Sequence, residues 1–198
     1  MARGYLAGVK VAAQRPPTAR RVLGIDPGTN LLGYAIVHQE GRRQRLLALG
    51  AHKTSGEEAA QKLRSVYAFL SDLIDLHAPT ECALEAPFFG KNVQSMLKLG
   101  RAQGVAMAVA MAKGLTVAEY APKKIKVSVT GNGNASKEQV AIMTSRLLRF
   151  SLEGIKLDAT DAVATALCHL NQSAHAAPGR KSYSGWGAFL EDNPSRRM

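Results

Sequence analysis

The run VLGID, residues 22–26, is apolar up to a closing aspartate, and the turn pair Pro27-Gly28 follows it. LLGYAIVH, residues 31–38, is rich in strand formers, so the two segments read as strands joined by a tight turn. A third strand over Arg45–Lys53, after the turn at Glu40-Gly41, completes an antiparallel meander. Beyond it the period changes. Ser55 with Glu58 reads as a capping box, and Leu63, Val66, Tyr67, Leu70, Leu73 and Ile74 recur at helical spacing. Cys82–Glu85 (CALE) reads as a brief buried strand stopped by Pro87. Val93, Met96, Leu97, Gly100, Gly104, Met107 and Met111 mark a second helix, with a glycine cap near Lys113-Gly114. Leu115–Tyr120 predicts a strand, Pro122–Val129 a short basic helix, and Gly131–Asn134 a loop. Ser136 with Gln139 caps a helix bearing Val140, Met143 and Leu147, and residues 158–170 form the last helix.

Three consecutive strands and two more alternating with helices predict an α/β domain, a mixed five-stranded sheet flanked by helices, over residues 22–170. Residues 1–21, with Pro16-Pro17 and scattered arginines, read as a disordered basic arm. The same segment has the acid-free character of a transit peptide, and a translation start near Val22 is a third reading. Residues 171–198, rich in Gly, Ser and Pro, are expected to form a flexible tail.

A chain of 198 residues, 46% of them hydrophobic, supports one domain of this kind. Cys82 and Cys168 stand far apart with no metal-ligand spacing, which argues against a disulfide scaffold or a zinc site and for a reducing compartment. The charge-free run Ala102–Ala112 is well short of the ~20 residues that span a bilayer, and Lys10 interrupts the apolar residues near the start. The expectation is a cytoplasmic protein with no membrane partner.

The net charge of +11 divides unevenly. The arm carries +5 and the tail +2, leaving +4 for the body. Within the body, residues 91–149 hold ten Lys and Arg against Glu119 and Glu138, and the rest is net −4. Such a division suits a polyanion gripped by basic side chains while carboxylates hold metal ions; a solvated basic surface is the plainer alternative.

The carboxylates sit where such a site needs them. Asp26 ends the first strand, Glu85 ends the fourth, and Asp158 and Asp161 lie three apart at the start of the last helix, on one face. Strand ends are where α/β sheets hold ligands. Four clustered carboxylates repel unless cations sit between them, and Mg²⁺ or Mn²⁺ prefer such oxygen ligands. Two such ions can activate water and stabilise the departing oxygen in phosphodiester cleavage. Each acid also has an ordinary reading: Asp158 as a helix cap, Asp26 as the opening of an Asp-Pro-Gly turn. Glu85 resists one, because a charge inside CALEAP would be buried without a partner.

VLGIDPGTNLLGYAIV, ALEAPFFGKNVQSMLKLGRAQGVAMA, APKKIKVSVTGNGNASKEQVAIM and LDATDAVATALCH, in that order, closely resemble the RuvC family of Holliday junction resolvases over roughly residues 22–170. The resemblance implies a ribonuclease H-like fold, a homodimer, and metal-dependent nicking of two opposed strands of a four-way DNA junction. It places the four catalytic, metal-binding acids on Asp26, Glu85, Asp158 and Asp161; some members carry histidine at the position of Asp158. It further implies a catalytic and DNA-contacting role for Lys137, a backbone contact for Lys126, weaker ones for Lys123 and Lys124, and RuvA and RuvB branch-migration proteins as partners.

Without the family match, Lys137 reads as an exposed helix lysine. Phe88 and Phe89, directly after Glu85-Ala86-Pro87, could stack on a base opened at the junction, Phe88 being the choice, or pack in the core. Lys91, with Gly90 and Asn92, belongs to a segment able to touch the backbone. Gly100, Gly104, Ala108 and Ala112 form a small-residue stripe suited to packing across a two-fold axis or inside the monomer. Three rival readings stand beside the resolvase. GIDPGT is similar to the phosphate turn of sugar kinases and actin-like ATPases, though one domain exhausts the chain. A nuclease trimming ribosomal RNA precursors and a metal-free binding protein of the same fold are the others.

Overall fold

Antiparallel pairing joins β1 (Ala19–Asp26) to β2 (Leu31–Glu40) and β2 to β3 (Arg43–Lys53), the expected meander. The structure, a computed structural model, describes residues 19–87 and 92–175. β4 (Glu81–Glu85) runs parallel to β1, and β5 (Thr116–Tyr120) parallel to β4, so the mixed sheet has the order β3-β2-β1-β4-β5. Parallel neighbours need crossovers, and helices supply them. The helices are α1 (Ala59–His77), α2 (Val93–Ala112), α3 (Pro122–Thr130), α4 (Lys137–Leu148) and α5 (Leu157–His175).

Strand alternation sorts the core into two layers. Leu23, Ile25, Leu32, Ile36, Cys82 and Leu84 face α1 and α2. Val22, Ala35, Val37 and Ala83 face the opposite layer, where Ile125 of α3, Val140 of α4 and the apolar residues of α5 meet them. Residues 161–170 of α5 are all buried, an uncommon depth for a helix that begins with two aspartates. Glycine makes that depth possible. A Cβ on Gly24 would lie 2.1 Å from the Ala162 carbonyl oxygen, and one on Gly33 2.0 Å from that of Asp158. A methyl at either position would lift α5 off the sheet.

Element boundaries differ from expectation where long-range partners intervene. β1 begins at Ala19, not Val22, so Arg20 and Arg21 belong to the sheet and not to a basic arm. Arg20 forks onto the Glu81 carboxylate of β4, and Arg21 donates to the His77 carbonyl at the end of α1. Burial opposes ionisation of Glu81, but its bonds from Arg20 and His169 prevail and hold its pKa down to about 2. α1 is capped by Glu58 and not by Ser55. The Gln61 side chain accepts from the backbone N–H groups of Glu57 and Glu58, while the Ser55 N–H donates to Ser65 Oγ. α5 continues to His175, five residues into the expected tail, with Asn171 donating to Ser128 of α3. Ser136 and Gln139 form the expected capping box on α4. Cys82 and Cys168 are buried and unbridged.

Candidate active site

Ile25 pairs with Leu84 in the parallel β1–β4 ladder, so Asp26 and Glu85 are the next residues of adjacent strands and leave the sheet at the same end. Side-chain alternation puts Asp26 on the face of Val22 and Gly24, and Glu85 on the face of Ala83, which is the α5 face in both cases. Asp26 pairs with Gly33 across β1–β2, and Gly33 touches the Asp158 backbone. The glycine that admits α5 therefore seats the start of that helix beside Asp26. Three residues on, Asp161 is 9% exposed and close enough for its charge to act on Asp26.

The electrostatics record the crowding. Burial first, then the charges of Glu85, Asp161 and Asp158, push the Asp26 carboxyl up to about 8. Burial and the Asp161 charge lift Glu85 to about 7, opposed by Lys137 and Lys126. Asp161 is also raised by burial, against the pull of Lys137. Lys137 opens α4 and reaches in, its Nζ donating to Asp161 Oδ2 at 2.6 Å. Burial works against its charge, yet the Asp161 bond and the charges of Asp26 and Asp158 hold its pKa above the ordinary lysine value. The cluster is thus four acids at one sheet end with one lysine bonded among them and Lys126 close enough to act on two.

Other expected contacts divide. Lys126 is half-buried beside the cluster, whereas Lys123 is exposed, its stem against the Gly133 loop. Lys124 holds its ammonium 5.2 Å from the Tyr120 ring centre. Phe88, Phe89 and Lys91 lie outside the described residues. Gly100, Gly104, Ala108 and Ala112 are solvent-facing, so within the described residues the stripe does not pack inside the monomer.

Reasoning from sequence missed two features. Gly24 and Gly33 seat α5, and GxD and LG within strands are their only signal. A polar chain also lies under α5: Tyr120 Oη sits 2.8 Å from His169 Nδ1, and His169 Nε2 lies 2.8 Å from Glu81, which Arg20 holds. Its bonded partners stand up to 88 positions apart, and no local motif links them.

Residues 22–169 match the family model described as Crossover junction endodeoxyribonuclease RuvC. The chain is 50% identical over 178 residues to the protein of that name from Cytophaga hutchinsonii, covering 89% of this chain and 88% of the relative. The Bacteroides fragilis protein of the same name is 47% identical over 186 residues, covering 92% and 98%. Thermus thermophilus RuvC, solved in complex with Holliday junction substrate, superposes with a TM-score of 0.74 at 31% identity over 79% of this chain and 96% of that one. The mixed sheet, its order and its helical layers are therefore the ribonuclease H-like arrangement of those structures, and the chain belongs to the RuvC family of crossover junction endodeoxyribonucleases.

Proposed function

We infer that this protein resolves Holliday junctions in DNA recombination and repair, nicking two opposed strands by attack of water on a phosphodiester bond. The observation that carries the reading is the delivery of Asp26, Glu85, Asp158 and Asp161 to one end of the sheet around Lys137.

The donor set fits divalent cations, Mg²⁺ or Mn²⁺, two per site. All four donors are carboxylates, and the protons that Asp26 and Glu85 keep near neutrality mark negative charge that Lys137 alone does not cancel. Among the described residues no three such side chains close around a common point as they stand. Ions bound there would be held by Asp26, Glu85, Asp158 and Asp161, would compete with the protons on Asp26 and Glu85, and would share Asp161 with Lys137. The bound ions would polarise the scissile phosphate and ease deprotonation of the attacking water. Lys137 supplies a fixed positive charge where charge builds on the phosphate, and Lys126 flanks it.

The test presents four-way junction, plain duplex and structured RNA to the protein with Mg²⁺, with Mn²⁺ and with neither. Paired symmetric nicks in the junction, and only with metal, are expected. Equal cutting of duplex or RNA would reject the reading.

A second copy of the chain completes it, since two nicks need two sites. Val93, Leu97 and Met111 of α2 are 64%, 52% and 56% exposed, and Gly100 and Gly104 between them meet nothing within 4 Å. This face of α2 lies opposite its buried residues Ala102, Ala106 and Val109, so pairing it with a copy buries apolar surface otherwise left in water. Small-angle scattering is expected to give twice the chain mass of 21.1 kDa. A double substitution Leu97→Glu, Met111→Glu is expected to give the single mass and uncoupled nicks; a double variant that keeps the doubled mass would assign the interface elsewhere. RuvA and RuvB as partners, and the cytoplasm as the place of action, complete the proposal. No helix among the described residues is long and apolar enough to cross a membrane.

A further inference from the structure

A cleft of about 300 Å³ lies between α1 and α2, lined by Thr29 and Asn30, by Lys62 and Leu63 of α1, and by Lys98 and Arg101 of α2. Thr29 and Asn30 belong to the turn that leaves Asp26, so the cleft opens beside the strand end carrying that acid. We propose that it binds a backbone phosphate of the DNA strand engaged at the carboxylate cluster, a contact separate from Lys126 and Lys137 on the opposite face of the sheet. The proposal rests on the junction-nicking reading.

Three cations line the cleft against one acid, Glu57. Lys62 is spoken for: its Nζ donates to Asn30 Oδ1 at 2.7 Å, which ties α1 to the turn. Neither the Lys98 ammonium nor the Arg101 guanidinium has a hydrogen-bond or ion-pair partner among the described residues. Three apart on α2, they share one side of the helix, and α2 contains no Asp or Glu with which either could pair along its own surface. Two neighbouring cations left unpaired repel each other, and an anion between them removes that repulsion. Thr29 and Lys62 add donors at the floor, and Leu63 and Val66 offer an apolar wall for a sugar. A phosphodiester therefore matches the site in charge, in donors and in its mixed polar and apolar walls. A phosphate held here and the scissile phosphate at Asp26 would grip one strand on both sides of the turn.

The test compares junction affinity as a function of salt, in EDTA, for the parent chain, the double variant Lys98→Ala, Arg101→Ala, and a control, Arg42→Ala, Arg43→Ala. The control removes the same charge at the β2–β3 turn, the far end of the sheet from Asp26. The Lys98/Arg101 variant is expected to bind about tenfold more weakly at 0.1 M salt, with the log–log salt slope shallower by roughly one to two. Because both residues are exposed, its Tm should match the parent's. The control is expected to change affinity less than about twofold. Parent-like affinity and slope in the Lys98/Arg101 variant would overturn the proposal, as would equal losses in both variants, which would reduce the effect to net charge. A parent chain that nicks junctions beside an unaffected Lys98/Arg101 variant removes the cleft alone, whereas a parent that neither binds nor nicks junctions removes the functional reading and the cleft with it.

Discussion

An Asp26→Asn substitution is expected to lower junction nicking by at least about 10³-fold while junction binding in EDTA persists, and at the same time to raise the Tm of the metal-free protein. Both effects come from one cause. In the proposed reaction Asp26 holds a metal ion, and its placement surrounds it with Glu85, Asp158 and Asp161 in a buried setting that pushes its pKa from 3.8 to about 8. In the unfolded chain the carboxyl loses its proton near pH 4; in the folded protein it keeps it until about pH 8. The folded state therefore binds the extra proton across that window. Stability contributed by this group falls as pH rises from about 4 to 8 and levels off above. An asparagine carries no such penalty. The gain should be small near pH 4.5 and grow to about 1–3 kcal/mol near pH 8, a few degrees or more in Tm. Thermal melts in EDTA over that range check it. Adding Mg²⁺ should then stabilise the parent and not the variant, by mass action on the folded state. A Tm difference independent of pH would show that the acids do not crowd one another, and retained nicking would move the active site elsewhere.

The four acids were legible because each stands at an element end that local rules mark: Asp26 before Pro-Gly, Glu85 before Ala-Pro, Asp158 and Asp161 in a helical first turn. Ser136 and Gln139 likewise announce the start of α4, and so the position of Lys137. What local rules miss is contact at a distance. Arg20 looked like part of a basic arm because its partner Glu81 is 61 positions away. Ser55 looked like a cap because Ser is a better cap than Glu on average, yet Gln61 reaches back to Glu57 and Glu58 instead. Gly24 and Gly33 weaken a strand by local measures, and only the approach of α5 gives them a role. The α2 stripe was ambiguous for the same reason: small residues at helical spacing are equally at home against a neighbour in the chain or a second copy, and α2 packs on its other face, leaving the stripe exposed among the described residues. The cleft lysines and arginine follow no motif, since they become neighbours only when α1 and α2 pack together.

Lys137→Met is expected to separate catalysis from metal binding in opposite directions. Nicking should fall about 10²–10³-fold, because a preorganised positive charge aimed at the reacting phosphate is lost. Affinity for Mn²⁺ should rise about tenfold in the same variant. Lys137 bonds Asp161 at 2.6 Å and offsets the negative charge of Asp26 and Glu85, so removing it leaves a more negative cluster and frees a ligand that the ion otherwise shares. Protons compete for the same charge, so the titration belongs at about pH 9, above the values of about 8 and 7 held by Asp26 and Glu85. Lys137→Arg, which keeps the charge, should bind Mn²⁺ much as the parent does. A lysine that merely anchored α4 would give a different pattern: loss of nicking accompanied by weaker metal binding and a lower Tm, with no rescue by arginine. Tighter metal binding in a slower enzyme is the signature of a cation built into the site, one that occupies part of the charge the acids present and then acts on the phosphate once metal has taken the rest.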